Sequence, residues 1–136
     1  IENFNFLKSK FPSNIKFTNQ KSFPVLLNSS KVLVTEGSST CLESIAKGVP
    51  VILLKSNVRI FQNPLPKGID NITYSICHSS NEIIKSLNKY LSMNSEQQKK
   101  LKKISGLIRD EYFQPTTEIG TNRFLDYTNV ATNYHI

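Results

Sequence analysis

Two apolar runs separated by one short helical stretch constrain this chain more than any other feature. Lys31-Val-Leu-Val-Thr35 is β-branched and lacks polar alternation, the pattern of a strand covered on both faces. Gly37-Ser38-Ser39 then breaks the run. From Ser39 to Lys47 the apolar residues Leu42, Ile45 and Ala46 recur at helical spacing, and Gly48 supplies a C-terminal stop. Pro50 to Leu54 (PVILL) is a second buried strand. Strand, helix and strand within about two dozen residues make a βαβ unit, which requires parallel strands joined by a right-handed crossover. The expected fold class is α/β: an open parallel sheet with helices on both faces.

The flanking segments extend this pattern. Ile15 to Thr18, after Pro12-Ser13-Asn14, is predicted as a strand. Ser22 to Asn28 is predicted as a short helix with Pro24 in its first turn, where a missing N–H costs nothing. Asn63 to Gly68 (NPLPKG) permits only a loop. Asn71 to Cys77 is a further predicted strand. Ser79-Ser-Asn-Glu82 matches a capping box opening a helix with Ile83, Ile84, Leu87, Tyr90 and Leu91 on its apolar side. Another helix is expected from about Ser95, with Leu101, Ile104, Leu107 and Ile108 inward, and a last one from Glu118 to Val130. With no internal repeat or low-complexity linker, residues 1–136 are expected to form a single domain.

Composition narrows the function classes. The chain begins at Ile1, so a processed product or a fragment is expected. Glu2, Asn3, Asn5 and Lys8 interrupt the N-terminal apolar residues, which argues against a signal peptide. The longest uncharged apolar stretch, Val49 to Leu54, is too short to span a bilayer. Cys41 and Cys77 form neither a disulfide framework nor a CxxC pair; both are expected to be buried, in a reducing, cytoplasmic setting. The formal charge of +7 favours anionic partners. Its basic residues are not interleaved with aromatics, so nucleic acid is not among them. Lys99, Lys100, Lys102 and Lys103 are read as a solvated helix face, with the inner-membrane surface or a lipid-linked phosphate as the competing partner. No metal-ligand cluster, Ser-His-Asp arrangement, paired carboxylates or P-loop pattern is present, and no cofactor is expected.

Chemistry concentrates in Thr35-Glu-Gly-Ser-Ser-Thr-Cys-Leu-Glu43. A small-residue loop there joins the carboxyl end of a parallel strand to a helix start. Unpartnered backbone N–H groups and the helix dipole meet at that point, which suits a phosphate or diphosphate. Gly37 permits close backbone approach, and the Ser38, Ser39 and Thr40 hydroxyls add donors. Glu43, about one turn into the helix, can accept hydrogen bonds from vicinal hydroxyls as acidic residues do with ribose. Residue by residue, a bare N-cap at Ser39 or Thr40 and a first-turn acid at Glu43 explain as much. Lys55, Asn57 and Arg59 follow the second strand and are candidate donor contacts, as solvated loop residues also would be. His78 can titrate near neutrality, but a capping or surface role suits its place before a helix. His135 has no assigned role.

The stretch from Val34 to Leu54 resembles the donor-binding segment of GT-B-fold glycosyltransferases and their nucleotide-sugar 2-epimerase relatives. In that family a Gly/Ser loop leads to a helix ending in Glu-Ala-x-x-x-Gly-x-Pro-Val-Ile; here it is Glu43-Ser-Ile-Ala-Lys-Gly48-Val-Pro50-Val-Ile52. The close match covers about twenty residues, and the order of elements extends it loosely over most of the chain. The resemblance implies the Rossmann-like C-terminal half of a two-domain glycosyltransferase, with a nucleoside diphosphate sugar as substrate. The part played in surface-polysaccharide synthesis is implied by a narrower resemblance: Glu36-Gly-Ser-Ser-Thr40 together with Asn63-Pro-Leu-Pro66 is similar to bacterial transferases of that pathway class. The broader resemblance implies that Gly37, Ser38, Ser39 and Thr40 bind the diphosphate and Glu43 the ribose, while the backbone from Thr18 to Phe23 borders the base. The catalytic base would lie on the protein's own N-terminal domain, so this chain alone would turn nothing over. Glu36, a candidate contact to the donor sugar, stands one residue closer to Glu43 than its counterpart in many retaining members. Alternatives are half of a 2-epimerase, for which Lys55-Ser-Asn-Val-Arg59 and Phe61-Gln-Asn-Pro64 fit poorly, and a non-catalytic phosphate- or nucleotide-binding module.

Overall fold

Val51, Ile52 and Leu53 are fully buried (0% exposed), and the rest of the fold is arranged around them. The structure, a computed structural model, describes residues 12–16, 18, 21–55 and 61–113. Its elements in chain order are α1 (Phe23–Asn28), β1 (Leu33–Thr35), α2 (Thr40–Ala46), β2 (Val51–Leu54), β3 (Tyr74–Cys77), α3 (Ser80–Leu91) and α4 (Ser95–Tyr112). The sheet order is β1-β2-β3. Both pairings are parallel, with Leu33 opposite Val51 and Val51 opposite Tyr74. This is an open parallel α/β sheet.

The alternation of β2 explains why its sequence is apolar throughout. Val51 and Leu53 join Cys41, Ile45 and Ala46 of α2 and Ile108 of α4 in one cluster. Ile52 turns to the other face and packs with Tyr90 of α3, Met93 and Leu101. Ile104 of α4 touches both clusters, so this helix closes one end of the two layers. A central strand with helices on both faces has no position where a polar side chain meets water.

The α2–β2 connection is a Schellman motif. Gly48 adopts φ +81°, its N–H donates to the Ile45 carbonyl (2.8 Å), and the Val49 N–H donates to the Ser44 carbonyl (3.0 Å). The buried Ser44 hydroxyl donates back to the Val49 carbonyl (2.9 Å). Part of the Gly-Val-Pro signature therefore serves the turn itself. α4 packs against α2, with the buried Ser105 hydroxyl about 4.0 Å from where a Cβ on Gly48 would lie.

Several expectations need correction. Ile15, Lys16 and Thr18 form no strand: the Ile15 N–H is used by the Pro12 carbonyl in a turn (2.9 Å), and Ile15 is 44% exposed. β1 is not covered on both faces, because it is an edge of the described sheet and Val34 is 43% exposed. On α3, Ile83, Leu87 and Tyr90 pack inward, whereas Ile84 and Leu91 point outward. On α4, Leu107 is exposed while Leu101 and Ile108 are buried. α4 also opens with a reciprocal capping box between Asn94 and Gln97 that the sequence reading missed. The expected helix from Glu118 to Val130 lies outside the described residues, as do Phe17, Asn57, Arg59 and His135.

The third strand is shorter than expected because Asp70 organises a turn. Its carboxylate accepts the Ile72 N–H (2.9 Å) and its carbonyl accepts both the N–H (3.0 Å) and the hydroxyl (2.7 Å) of Thr73. Lys100 of α4 reaches the same carboxylate at 2.9 Å. The Lys100 hydrogen bond, then the Ile72 amide, hold the Asp70 carboxyl below the usual carboxylate range. A depressed folded pKa stabilises above the unfolded value of about 3.9, and that contribution is lost as pH falls through the folded pKa. The stability difference between the wild type and Asp70→Asn, measured by urea unfolding, is therefore expected to be constant above about pH 5 and to shrink below about pH 4. A difference that stays constant as pH is lowered from about 5 to well below 4 would show that the pair contributes nothing.

Candidate functional site

The carboxyl ends of the three strands deliver Glu36, Lys55 and His78 to one edge of the sheet. There the loop from Glu36 to Ser39 rises from β1 and enters α2. Gly37 has φ +129°, a rotation that side-chain-bearing residues rarely adopt. A Cβ there would lie 3.6 Å from the Gln62 carbonyl oxygen and 3.8 Å from Pro64 Cδ, which is ordinary contact. Backbone rotation rather than crowding demands the glycine. The same distances place Gln62 and Pro64 along one side of the loop.

Hydrogen bonds shape the loop from within. The Gly37 N–H donates to the Thr35 hydroxyl (3.3 Å), the Thr40 N–H to the Ser38 hydroxyl (3.3 Å), and the Cys41 N–H to the Ser38 carbonyl (3.0 Å). Two of the expected phosphate-facing amides are thus already engaged. Ser39 is the N-cap residue, yet its side chain makes no cap hydrogen bond. Ser39 is exposed at the helix start.

Glu43 lies in the first turn of α2, half-buried, and its nearest charged neighbour is Lys47 at 3.9 Å. So long and solvent-facing an ion pair holds Glu43 only weakly. Glu36 is exposed on the loop. Lys55 is exposed at the end of β2, where its N–H donates to the Cys77 carbonyl (2.8 Å) and its ammonium sits 5.7 Å from the centre of the Phe61 ring. Of the backbone expected to border a base, Asn19 and Gln20 lie outside the described residues.

His78 has a structural place. Its N–H donates to the Glu82 carboxylate (2.6 Å), while the Glu82 N–H donates to the Ser79 hydroxyl (3.3 Å). The predicted capping box is therefore displaced by one residue on its return arm, and the His78 side chain is exposed. Cys41 and Cys77 are buried free thiols, and burial pushes the Cys41 thiol up from its ordinary value. Among the described residues, no group of His, Cys, Asp and Glu is placed to hold a metal ion. Nor is any described helix long and apolar enough to cross a membrane.

No family model, curated protein or solved structure matches the chain. The chemistry of the site therefore rests on its own geometry.

Two clefts lined by described residues lie away from this loop. One, of about 430 Å³, runs along β3 and α3. Ser75, which lines it, shares a hydrogen bond with the Tyr90 hydroxyl at 2.7 Å, and burial pushes the Tyr90 phenol up to about 12. Lys89 closes its rim by donating to the Asn71 carbonyl at 3.1 Å. The other opens at the opposite end of the sheet and was not foreseen from the sequence. Its residues come from four separate segments, so no local motif announces it.

Proposed function

We propose that this chain is the donor-binding half of a glycosyltransferase that takes a nucleoside diphosphate sugar, in the synthesis of a surface polysaccharide. The observation that carries the proposal is the β1–α2 connection: a glycine at φ +129° and an uncommitted capping serine at the carboxyl edge of a parallel sheet, with Glu43 one turn beyond. Ligands of open α/β sheets bind outside the carboxyl ends of the strands. The diphosphate would lie across Gly37 to Thr40, where the α2 N-terminus favours negative charge. Glu43 would exchange its loose contact with Lys47 for the ribose hydroxyls. Lys55 stands at the same edge as a second cation for the donor. Donors fixed in place before the reaction stabilise a departing diphosphate without reorganisation. The acceptor and the base that activates it would belong to a second domain.

Titration of the isotopically labelled chain with uridine, cytidine and guanosine diphosphates tests the proposal. The amides of Ser38, Ser39 and Thr40 are expected to shift at millimolar nucleotide or below, with one base preferred. Glu43→Ala is expected to weaken that response with the remaining amide spectrum unchanged. Silence of these amides toward all three nucleotides would remove the proposal.

A further inference from the structure

The second cleft, of about 540 Å³, is built at the amino ends of the strands. Ser30 and Lys31 lead into β1, Gly48 and Pro50 lead into β2, Leu91 ends α3 and Met93 follows it, and Leu101 and Lys102 come from the first turns of α4. Its floor is apolar, formed by Pro50, Met93 and Leu101 with the ring of Tyr90. Leu91 is 58% exposed at its margin. Among the described residues, three lysines, Lys31, Lys47 and Lys102, line the cleft, and no acidic residue does. Lys47 is tied loosely to Glu43 and to the Asn28 amide oxygen (3.5 Å).

The basic run on α4 divides at this point. Lys100 turns away to Asp70, whereas Lys102 turns to the cleft. All four lysines of the run are exposed, as expected of a solvated face, and Lys102 in addition borders the cleft. An apolar floor ringed by cations, beside an outward-facing leucine, matches a ligand with a negative head and a hydrocarbon body. At a bilayer surface both halves of that ligand are present together, and each lysine near an anionic leaflet adds attraction.

We infer that this cleft docks the chain on an anionic phospholipid surface, seating a lipid phosphate among Lys31, Lys47 and Lys102 with Leu91 entering the acyl boundary. The site lies at the end of the sheet opposite the donor loop and does not depend on what that loop binds.

Flotation of the full chain with vesicles tests the inference. Vesicles of phosphatidylcholine with about one part in three of phosphatidylglycerol are expected to carry the chain, and phosphatidylcholine alone is not. The double variant Lys31→Gln/Lys102→Gln is expected to lower the partition coefficient on the order of thirtyfold. Leu91→Gln, at an exposed position that the fold does not need, is expected to lower it several-fold. The control Lys67→Gln/Lys85→Gln carries the same net charge and is expected to lose far less. An equal loss in the control would mean diffuse charge attraction and overturn the inference. So would binding of soluble glycerol 3-phosphate at the cleft, followed by amide shifts, with no vesicle binding. Circular dichroism of each variant separates loss of docking from loss of fold.

Discussion

Ile52→Ala is expected to destabilise the chain by about 3–4 kcal/mol, within the range of roughly 2–5 kcal/mol for buried Ile-to-Ala changes. Ile52 is 0% exposed in the central strand and clusters with Tyr90 and Leu101 of two helices and Met93 of their connection. The strand is pinned by hydrogen bonds on both edges, so it cannot move to fill the space. The removed methylenes would leave a cavity in addition to their lost transfer energy. Domains of this size have about 5–15 kcal/mol of stability in total, so the variant gives up a large share. Urea unfolding should show a lower midpoint with an unchanged slope. Val34→Ala, one strand away at a 43% exposed position, should change stability by only about 0.5 kcal/mol. Equal effects at the two positions would mean that the two-faced burial of β2 is wrong.

Gly37→Ala is expected to weaken the proposed nucleotide binding strongly while leaving the fold standing. A Cβ there meets only ordinary contacts, at 3.6 and 3.8 Å, so packing does not oppose it. Backbone rotation does: φ +129° costs a side-chain-bearing residue about 1–3 kcal/mol, and the loop is expected to relax to a negative φ. That relaxation turns the neighbouring peptide planes and breaks the bond from the Gly37 N–H to the Thr35 hydroxyl. Losing one amide–phosphate hydrogen bond of about 1.5–3 kcal/mol weakens binding by roughly ten- to a hundredfold. Calorimetric titration with nucleoside diphosphate, beside thermal unfolding of the same samples, checks both halves. Unchanged affinity would move the phosphate site off this loop.

The parts of the fold that were legible in the sequence depend on burial from both sides. Pro50 to Leu54 could hardly be anything but a central strand, and Gly48 before it marked the helix end because only a left-handed residue closes a Schellman turn cheaply. The errors fall where a local side chain or an edge decides. Ile15 to Thr18 has strand-like residues, but a turn uses the Ile15 amide first. Asn71 to Thr73 looked like the start of β3, yet the Asp70 carboxylate and carbonyl bind that backbone. Val34, Ile84 and Leu91 are apolar and were placed inward, because hydropathy alone does not tell which side of an edge element is left open. At the site, the chain order of Gly37, Ser39 and Glu43 gave their clustering directly, since one loop and one helical turn hold all three. The internal hydrogen bonds of Thr35 and Ser38 were not legible: a hydroxyl in sequence does not declare whether it faces a ligand or its own backbone.

The helix that carries the loop is only seven residues long, from Thr40 to Ala46. A helix of that length does not persist by itself in water, because nucleation costs more than so few bonds return. What holds it is the full burial of Cys41 and Ile45 beneath it and the Schellman lock behind it. The geometry of the loop at Ser39, where the diphosphate is proposed to bind, is therefore inherited from the core. Binding there should demand little new ordering of the chain, and anything that loosens the layer under α2 should blunt affinity at a distance, without touching a single contacting atom.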